Sequence, residues 1–422
     1  MSIEYAVPRD SSECDAYARI VADAFAWDPA MAIGWVRDWG HECIRTVRVG
    51  GVLAGGLQLI PLQTYFGGRA VGLTGVGAVV LLPQYRGKGV GKALMREAML
   101  EVERSRTPLA GLFPATLPVY RSAGFEQAGV RCETTLTLNQ IKLRPEIEAM
   151  VRGDHAGRGL SLVPIPNSES IRAAGPMPGS IHENVRAVYA RVGPLFDGHL
   201  ARPENVWRTQ IYAFKREETR GFAIVRDATG EVEGYFFYTQ SRGDAGIHLA
   251  VRDAACLTPA AWAAFFRFLA DHWSTVREAS WMVPQEHPAL LMLAEHCTRT
   301  GPRSAWMLRV MHVKAALESR GYAACVRGSF TLRVRDEMIA SNAGTWHVHI
   351  DNGHASVNKG SDSDRAIELD VRTLAPVMSG YQSPAALRLA GLVRCDDDAM
   401  LEAAAAAFAN ARGSTPWMSE IY

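Results

Sequence analysis

Apolar positions recur in two rhythms along this chain, and each change of rhythm marks an element. Between Cys14 and Phe25, the residues Tyr17, Ile20, Val21 and Phe25 share one face at helical spacing. Met31, Trp35 and Trp39 then recur every four residues, which predicts a second, shorter helix. Ile44 to Val49, Val52 to Ile60 and Gln63 to Phe66 read as strands, with Gly50-Gly51 as a turn and Gly55-Gly56 as a bulge. An apolar run from Val76 to Leu82 stops at Pro83. Three glycines at alternate positions follow, and a helical pattern begins at Val90 and continues through Ala93, Leu94, Ala98 and Met99. Leu109 to Phe113 and Val130 to Leu138 are the last strands of this region.

The pattern then breaks. Glycines and prolines between 152 and 167 predict a linker. Beyond it come a helix at Val185 to Val192 and strands at Arg220 to Val225 and Glu231 to Gln240 around Asp227-Ala228-Thr229-Gly230. A strand at Ile247 to Val251 and a helix at Pro259 to His272 follow. Strand pair, strand, helix repeats the order of the first region and suggests a degenerate duplication. A third pattern has strands at Ser329 to Arg335, Gly344 to Ile350, His354 to Lys359 and Ala366 to Asp370, with a tight hairpin at Asp351-Asn352-Gly353. Helices are expected at Val371 to Ser379, Ser383 to Ala390 and Asp396 to Asn410, before a non-helical apolar tail, Pro416 to Tyr422. The expected domains are 1–150, 160–315 and 316–422, with an α/β (α+β) fold.

The turn between Leu82 and Val90 carries the most chemistry. Glycine lets backbone N–H groups approach an anion without a Cβ in the way. The first N–H groups of a helix are unpaired and sit at the positive end of its dipole. Arg86 and Lys88 add mobile charge. The arrangement suits a pyrophosphate; the alternative is a glycine-rich turn with a solvated basic rim. It is no Walker A loop, because Lys92 is followed by Ala93. It is no dinucleotide fingerprint, because the spacing is RxxGxG from Arg86 through Gly89 to Gly91. The corresponding stretch of the second region, Arg252-Asp253-Ala254-Ala255-Cys256-Leu257, has no glycine, and Asp253 there opposes an anion.

The segment Leu81 to Lys92, together with Tyr120-Arg121-Ser122-Ala123-Gly124-Phe125, resembles the cofactor-binding motif of the GNAT superfamily of N-acetyltransferases. The wider chain resembles the enhanced-intracellular-survival (Eis) family of that superfamily. The further parts that carry the resemblance are Phe330-Leu332-Val334-Asp336, Leu369-Asp370, Gly380-Tyr381, Gly391 and the aromatic chain end, with a looser middle anchored on Tyr189, Arg202 and Trp207. The resemblance implies two tandem GNAT-like domains, the second degenerate and without a cofactor loop, and a sterol-carrier-protein-like third domain. It implies acetyl-CoA as the acetyl donor. Val79 and Leu81 would offer backbone groups to its pantetheine arm, and Arg86, Gly87, Lys88, Gly89, Val90 and Gly91 would wrap its pyrophosphate. Relatives carry a more arginine-rich loop, so Gly87 and Lys88 keep an anion site with fewer forks.

The same resemblance makes Tyr120 the general acid that protonates the departing thiolate. It makes the α-carboxylate of Tyr422 a general base acting through water. A phenol of pKa about 10 suits a thiolate of similar basicity, and a desolvated carboxylate is a stronger base than one in water. Packing at a helix end is the alternative for Tyr120, and fraying the alternative for Tyr422. Phe25, Asp28, Trp35 and Asp38 lie where the superfamily lines its acceptor cleft, with Glu420 joining from the tail. Rings and carboxylates suit a cationic amine; the acceptor is left open between an aminoglycoside, another polyamine, a lysine side chain and an arylamine. Core packing is the alternative for each tryptophan. The resemblance further implies a homo-oligomer, a hexamer.

Bulk properties change this picture little. Lys+Arg is 45 against Asp+Glu 44, so no overall field draws nucleic acid or an anionic membrane. Seven scattered cysteines without CxxC point to free thiols in a reducing compartment. The absence of a basic, apolar leader or an 18-residue apolar run predicts a cytoplasmic protein without a membrane span. His347 and His349 share a strand face but lack a defined third ligand, so no metal is expected. The rival class is a non-catalytic lipid- or ligand-binding protein using the third domain. Such a carrier has no use for the glycine loop or for Tyr120.

Overall fold

Asp10 and Asp28 start the first two helices by accepting hydrogen bonds from the backbone N–H groups of Glu13 and Met31. The computed structural model describes residues 2–154, 159–166, 179–211, 219–243, 246–361, 365–410 and 415–422. The first domain runs β1 (Ile3–Ala6), α1 (Ser11–Phe25), α2 (Pro29–Asp38), β2 (Ile44–Val49), β3 (Val52–Phe66), β4 (Arg69–Leu81), α3 (Val90–Arg104), β5 (Leu109–Leu112), α4 (Leu117–Arg121) and β6 (Glu126–Thr137). The second has β7 (Leu160–Ile165), a helix at Ile181–Val192, β8 (Arg220–Arg226), β9 (Val232–Gly243), β10 (Gly246–Cys256), a helix at Pro259–Asp271, β11 (Val276–Trp281) and β12 (Thr298–Val310). The third has β13 (Gly328–Arg335), β14 (Gly344–Asp351), β15 (His354–Gly360), β16 (Ile367–Asp370) and β17 (Val393–Arg394), with helices at Val371–Ser379, Pro384–Leu389 and Asp398–Phe408.

These elements form two compact units, neither of them one contiguous stretch. The first comprises Met1–Gly129, Asp197–Ala201 and Ser304–Tyr422; the second comprises Val130–Phe196 and Arg202–Arg303. In the first unit β1 to β4 are antiparallel neighbours, and β5 lies parallel to β4. The next partner of β5 comes from far along the chain: Met307 to Val310 of β12 pair antiparallel with Leu112 to Leu109. Parity along β2 sorts the core. Ile44 packs with Tyr17, Ile20 and Val21 of α1 and with Ala32 and Val36 of α2. Val47 and Val49 pack instead with Val90, Leu94, Met95, Ala98, Met99 and Val102 of α3. Each Val, Leu, Ile or Met side chain among these contributes roughly 1.5–3 kcal/mol. The start of α3 is therefore fixed by its buried face, not by the exposed loop before it.

The third domain belongs to the same unit. Its sheet runs in the order β15-β14-β13-β16-β17, with β13 and β16 parallel. It meets the first domain at a close approach of two glycines: a Cβ on Gly67 would stand 2.0 Å from the Gly321 carbonyl oxygen. The N–H of Gly321 donates to the Phe66 carbonyl at 3.0 Å. Arg309, within the segment of β12 that pairs with β5, forms a buried ion pair with Asp336 at 3.0 Å.

In the second unit, residues 134–137 of β6 pair with β11, which continues through β10, β9 and β8 to β7. Phe236, Trp262, Phe265, Phe268 and Trp281 stack into its core.

Four expectations change. Val52 to Phe66 is one strand across Pro61. The N–H groups of Tyr65 and of Ala201 opposite Gln63 show that odd positions there face the outer edge, so the missing N–H of Pro61 interrupts no β3–β4 bond. β4 starts at Arg69, seven residues before the apolar run. The linker expected at 152–167 lies partly outside the described residues, and within it Leu160–Ile165 forms β7, a sheet edge that tolerates Pro164. Finally, Arg252 to Cys256 is strand, not turn: β10 runs to within three residues of the next helix.

Candidate active site

The parallel pairing of β4 with β5 ends at Gly75–Gly111, while β4 continues to Leu81 beside β3. The strands thus part and leave one edge of β4 open. Ala78 sits in that edge at φ 44°, where the register steps from Gln58–Gly77 to Gly56–Val80. Tyr17, fully buried in α1, donates its hydroxyl to the Ala78 carbonyl at 2.8 Å and pins this bulge. Beyond it the Leu82 N–H donates to the Ala54 carbonyl at 2.9 Å. Alternation along the strand therefore turns the backbone groups of Val79 and Leu81 toward the open side.

Arg86 folds back to donate its Nε to the Leu81 carbonyl at 3.0 Å, tying the loop to the strand end. Gly87 and Gly89 then adopt φ 72° and 81°. No atom lies within 4 Å of where a Cβ on either would stand, so a side chain there would be strained and would fill the volume above the loop. Gly89 precedes α3, and no side chain caps its N–H groups. Val90 is fully buried and Gly91 partly so, leaving their backbone N–H groups as what they can offer. Lys88 is exposed, and among the described residues it has no carboxylate within ion-pairing distance. Open volume, unpaired donors and positive charge fit the pyrophosphate of a coenzyme A.

The chain end occupies the parting of the strands. A Cβ on Gly77 would meet the Tyr422 carboxyl carbon at 3.0 Å and its oxygen at 3.2 Å. A Cβ on Gly75 would meet the Tyr422 ring at 2.6 Å, and one on Gly111 would meet its hydroxyl at 2.8 Å. Three glycines on facing strands thus make the slot, and Phe113 closes on the ring edge-on at 5.8 Å. Upstream, the Trp417 N–H donates to the Asp197 carbonyl at 3.0 Å, and its indole meets the His199 ring at 4.2 Å. The segment 197–201 is itself pinned to β3, through Tyr65 to His199 at 2.8 Å and Gly198 to Tyr65 at 2.9 Å. Glu420 is buried two residues before the end.

Tyr120 is buried on α4, its ring edge-on to Phe125 at 6.5 Å, and burial pushes its pKa up to about 12. Gly124 of the same segment has φ 85°, and its missing side chain makes room for Arg309: a Cβ there would stand 1.4 Å from Nη1. Arg309 donates to the Ala123 carbonyl and to both oxygens of Asp336.

At the α1–α2 corner, Phe25 and Trp27 lie 5.3 Å apart and Trp27 meets Trp35 edge-on at 5.7 Å. Phe25 is 42% exposed. Asp28 is exposed beside them, with one carboxylate oxygen engaged in capping α2.

Among its described residues the second unit holds no counterpart of the loop. Asp253 is buried there and bound to Arg202 at 2.6 and 2.9 Å and to the Tyr235 hydroxyl at 2.7 Å. The Arg202 guanidinium stacks on Tyr189 at 3.7 Å and Trp207 at 5.0 Å. His347 and His349 hydrogen-bond to Thr331 and Ser329 across β13.

With this geometry in view, the relatives are decisive. Residues 8–128 match an acetyltransferase (GNAT) domain, 198–310 match a second, and 313–419 match a sterol carrier protein domain. The N-acetyltransferase Eis of Mycobacterium tuberculosis is 27% identical over 341 residues, 80% of this chain and 78% of that one. The chain belongs to the Eis-type GNAT N-acetyltransferases. An uncharacterised N-acetyltransferase of Streptomyces coelicolor is 29% identical over 79% of this chain and 77% of its own length. The crystal structure of a GCN5-related N-acetyltransferase from Anabaena variabilis superposes over the whole of both chains, with TM-score 0.85 and 27% identity. The fold also matches Eis1 from Mycobacterium abscessus, at TM-score 0.77 and 20% identity.

Several residues of this acetyltransferase site escaped the sequence reading. Gly75, Gly77 and Gly111 carried a signal, since glycine inside a strand marks a close approach. Trp27 lies in sequence between Phe25 and Asp28. Tyr17 and Arg309 gave none, because one tyrosine on an apolar helix face and one arginine in a strand look ordinary.

Proposed function

We propose that this N-acetyltransferase moves the acetyl group of acetyl-CoA directly to an amine, without an acyl-enzyme. When bound, the cofactor supplies a thioester whose acyl carbon an amine can attack. Arg86 to Gly91 would hold its pyrophosphate through backbone N–H groups and two cationic side chains. Val79 and Leu81 would align its pantetheine arm by backbone pairing, and an N–H on the open edge of β4 would polarise the carbonyl. The second GNAT domain, lacking the glycine turn and with Asp253 spent on Arg202, would bind none.

Attack requires a neutral amine, so a basic group must take a proton. The observation that carries the reading is the Tyr422 carboxyl group over Gly77, inside the parting of β4 and β5. That α-carboxylate would accept the amine proton through a water. Tyr120, its proton secured by burial, would deliver it to the departing sulfur. A thiolate in the same apolar surroundings is desolvated too, which narrows the pKa gap that burial opens. Phe25, Trp27 and Trp35, with Asp28 and Glu420, would hold a cationic amine such as an aminoglycoside, a polyamine or a lysine side chain.

Adding two residues after Tyr422 tests the base. Turnover of an amine panel should collapse while coenzyme A still raises the melting temperature. Unchanged turnover would remove the carboxylate from the mechanism, and no stabilisation by coenzyme A would remove the cofactor assignment.

A further inference from the structure

A cavity of about 640 Å³ opens within the first unit, between the α4–β6 corner and the helices that follow β16. Its size is ordinary for a small-molecule site, and acetyl transfer as described makes no use of it. Asp370, Tyr381 and Gly391 line it. They belong to the third-domain positions that carry the family resemblance, and they too are left without a role in the transfer.

The lining has two characters. Arg121, Arg335 and Arg372 bring three guanidinium groups, while Tyr381, Leu387 and Leu392 bring apolar surface. Leu392 is 54% exposed, an apolar side chain that a ligand body would cover. Two of the arginines hold carboxylates: Arg121 binds Glu126 through two contacts of 2.8 Å, and Arg372 binds Asp370 at 2.6 Å. Both pairs are partly open to water, where such pairs contribute about 0–1 kcal/mol and exchange readily. Arg335 is exposed, and among the described residues no carboxylate lies within ion-pairing distance of it. Three cationic forks thus face two carboxylates, and the surplus charge sits beside the apolar surface.

We propose that this cavity binds an organic anion, with its carboxylate or phosphate group on Arg335 and the neighbouring forks and its apolar body against Tyr381, Leu387 and Leu392. Guanidinium forks match either head group in a bidentate way.

Isothermal titration of the full-length protein tests this, using phenylacetate, phenyl phosphate and the uncharged phenylacetamide. Excess coenzyme A is added so that the loop at 86–91 is closed to the probes. Saturable binding of one or both anions is expected, the better of the two naming the head group, with none for the amide. Arg335→Gln and Leu392→Asp, both at exposed positions that leave folding intact, should each weaken it at least tenfold. The proposal falls if neither anion binds or if both variants bind like the parent. Failure of coenzyme A itself to bind would instead count against the cofactor assignment, and the two variants would still report on the cavity.

Discussion

Gly77→Ala puts one methyl group against the proposed base. That Cβ would stand 3.0 Å from the Tyr422 carboxyl carbon, 3.2 Å from its oxygen and 3.2 Å from Ile60 Cδ1. Carbon contacts relax at about 3.5–4.0 Å, so the carboxylate must recede by about 0.5–1 Å; the Ile60 methyl can yield by rotation. Misplacing a reacting group by about 1 Å costs on the order of a hundredfold, so kcat should fall roughly ten- to hundredfold. Overpacking of this kind destabilises by about 1–3 kcal/mol. The low end is expected, because a chain end gives way more easily than a packed strand. The loop at 86–91 is untouched, so coenzyme A affinity should stay within twofold. Steady-state release of free thiol gives kcat, and calorimetric titration gives the affinity. A folded Gly77→Ala protein that keeps parental kcat would refute the carboxylate's part in the reaction. Loss of affinity and kcat together would show a distorted strand instead of a displaced base.

Tyr422→Phe should stabilise the protein by about 1–2 kcal/mol in denaturant titration and leave turnover intact. Its hydroxyl is buried without a hydrogen-bond partner among the described residues, and an unpaired buried donor costs about 1–3 kcal/mol. The rate against pH should rise as the amine deprotonates and show no descending limb up to pH 10. The protonated phenol of Tyr120 is the working form, and its pKa near 12 keeps it so; a fall centred between pH 8 and 9 would contradict this. Asp336→Asn breaks a buried ion pair and should cost about 3–5 kcal/mol by chemical denaturation. A loss under 1 kcal/mol would mean that the Arg309 charge is not held there.

The glycine turn, α3 and Y-x-x-x-G-F were legible because their signals are local: a backbone conformation open to few residues, followed by a strong helical period. Arg69 to Gly75 was not, because Gly72 and Gly75 dilute the apolar pattern with positions left small for distant neighbours, Pro108 against Gly72 and the Tyr422 ring against Gly75. The strand break placed before Gln63 was a reasonable reading of Pro61, and only the identity of the facing edge makes the proline harmless. Asp28 illustrates a different limit. An exposed carboxylate beside aromatic rings reads as a substrate contact and as a helix cap from the same letters, and the cap needs only Met31 three residues on. The tail was legible as too apolar for water, but its slot was not, since it is built from absences on β4 and β5.

The pairing of Leu109–Leu112 with Met307–Val310 bears on how this chain is made. A ribosome adds about 5–20 residues per second. After Gly129 it must add about 180 more before that partner exists, which takes roughly ten to forty seconds. For that interval β5 presents unpaired N–H and C=O groups in an apolar stretch, a template for pairing with other chains. A fragment cut after the first domain would carry the same open edge permanently and should aggregate. In order of synthesis, the unit that begins first is the one that closes last.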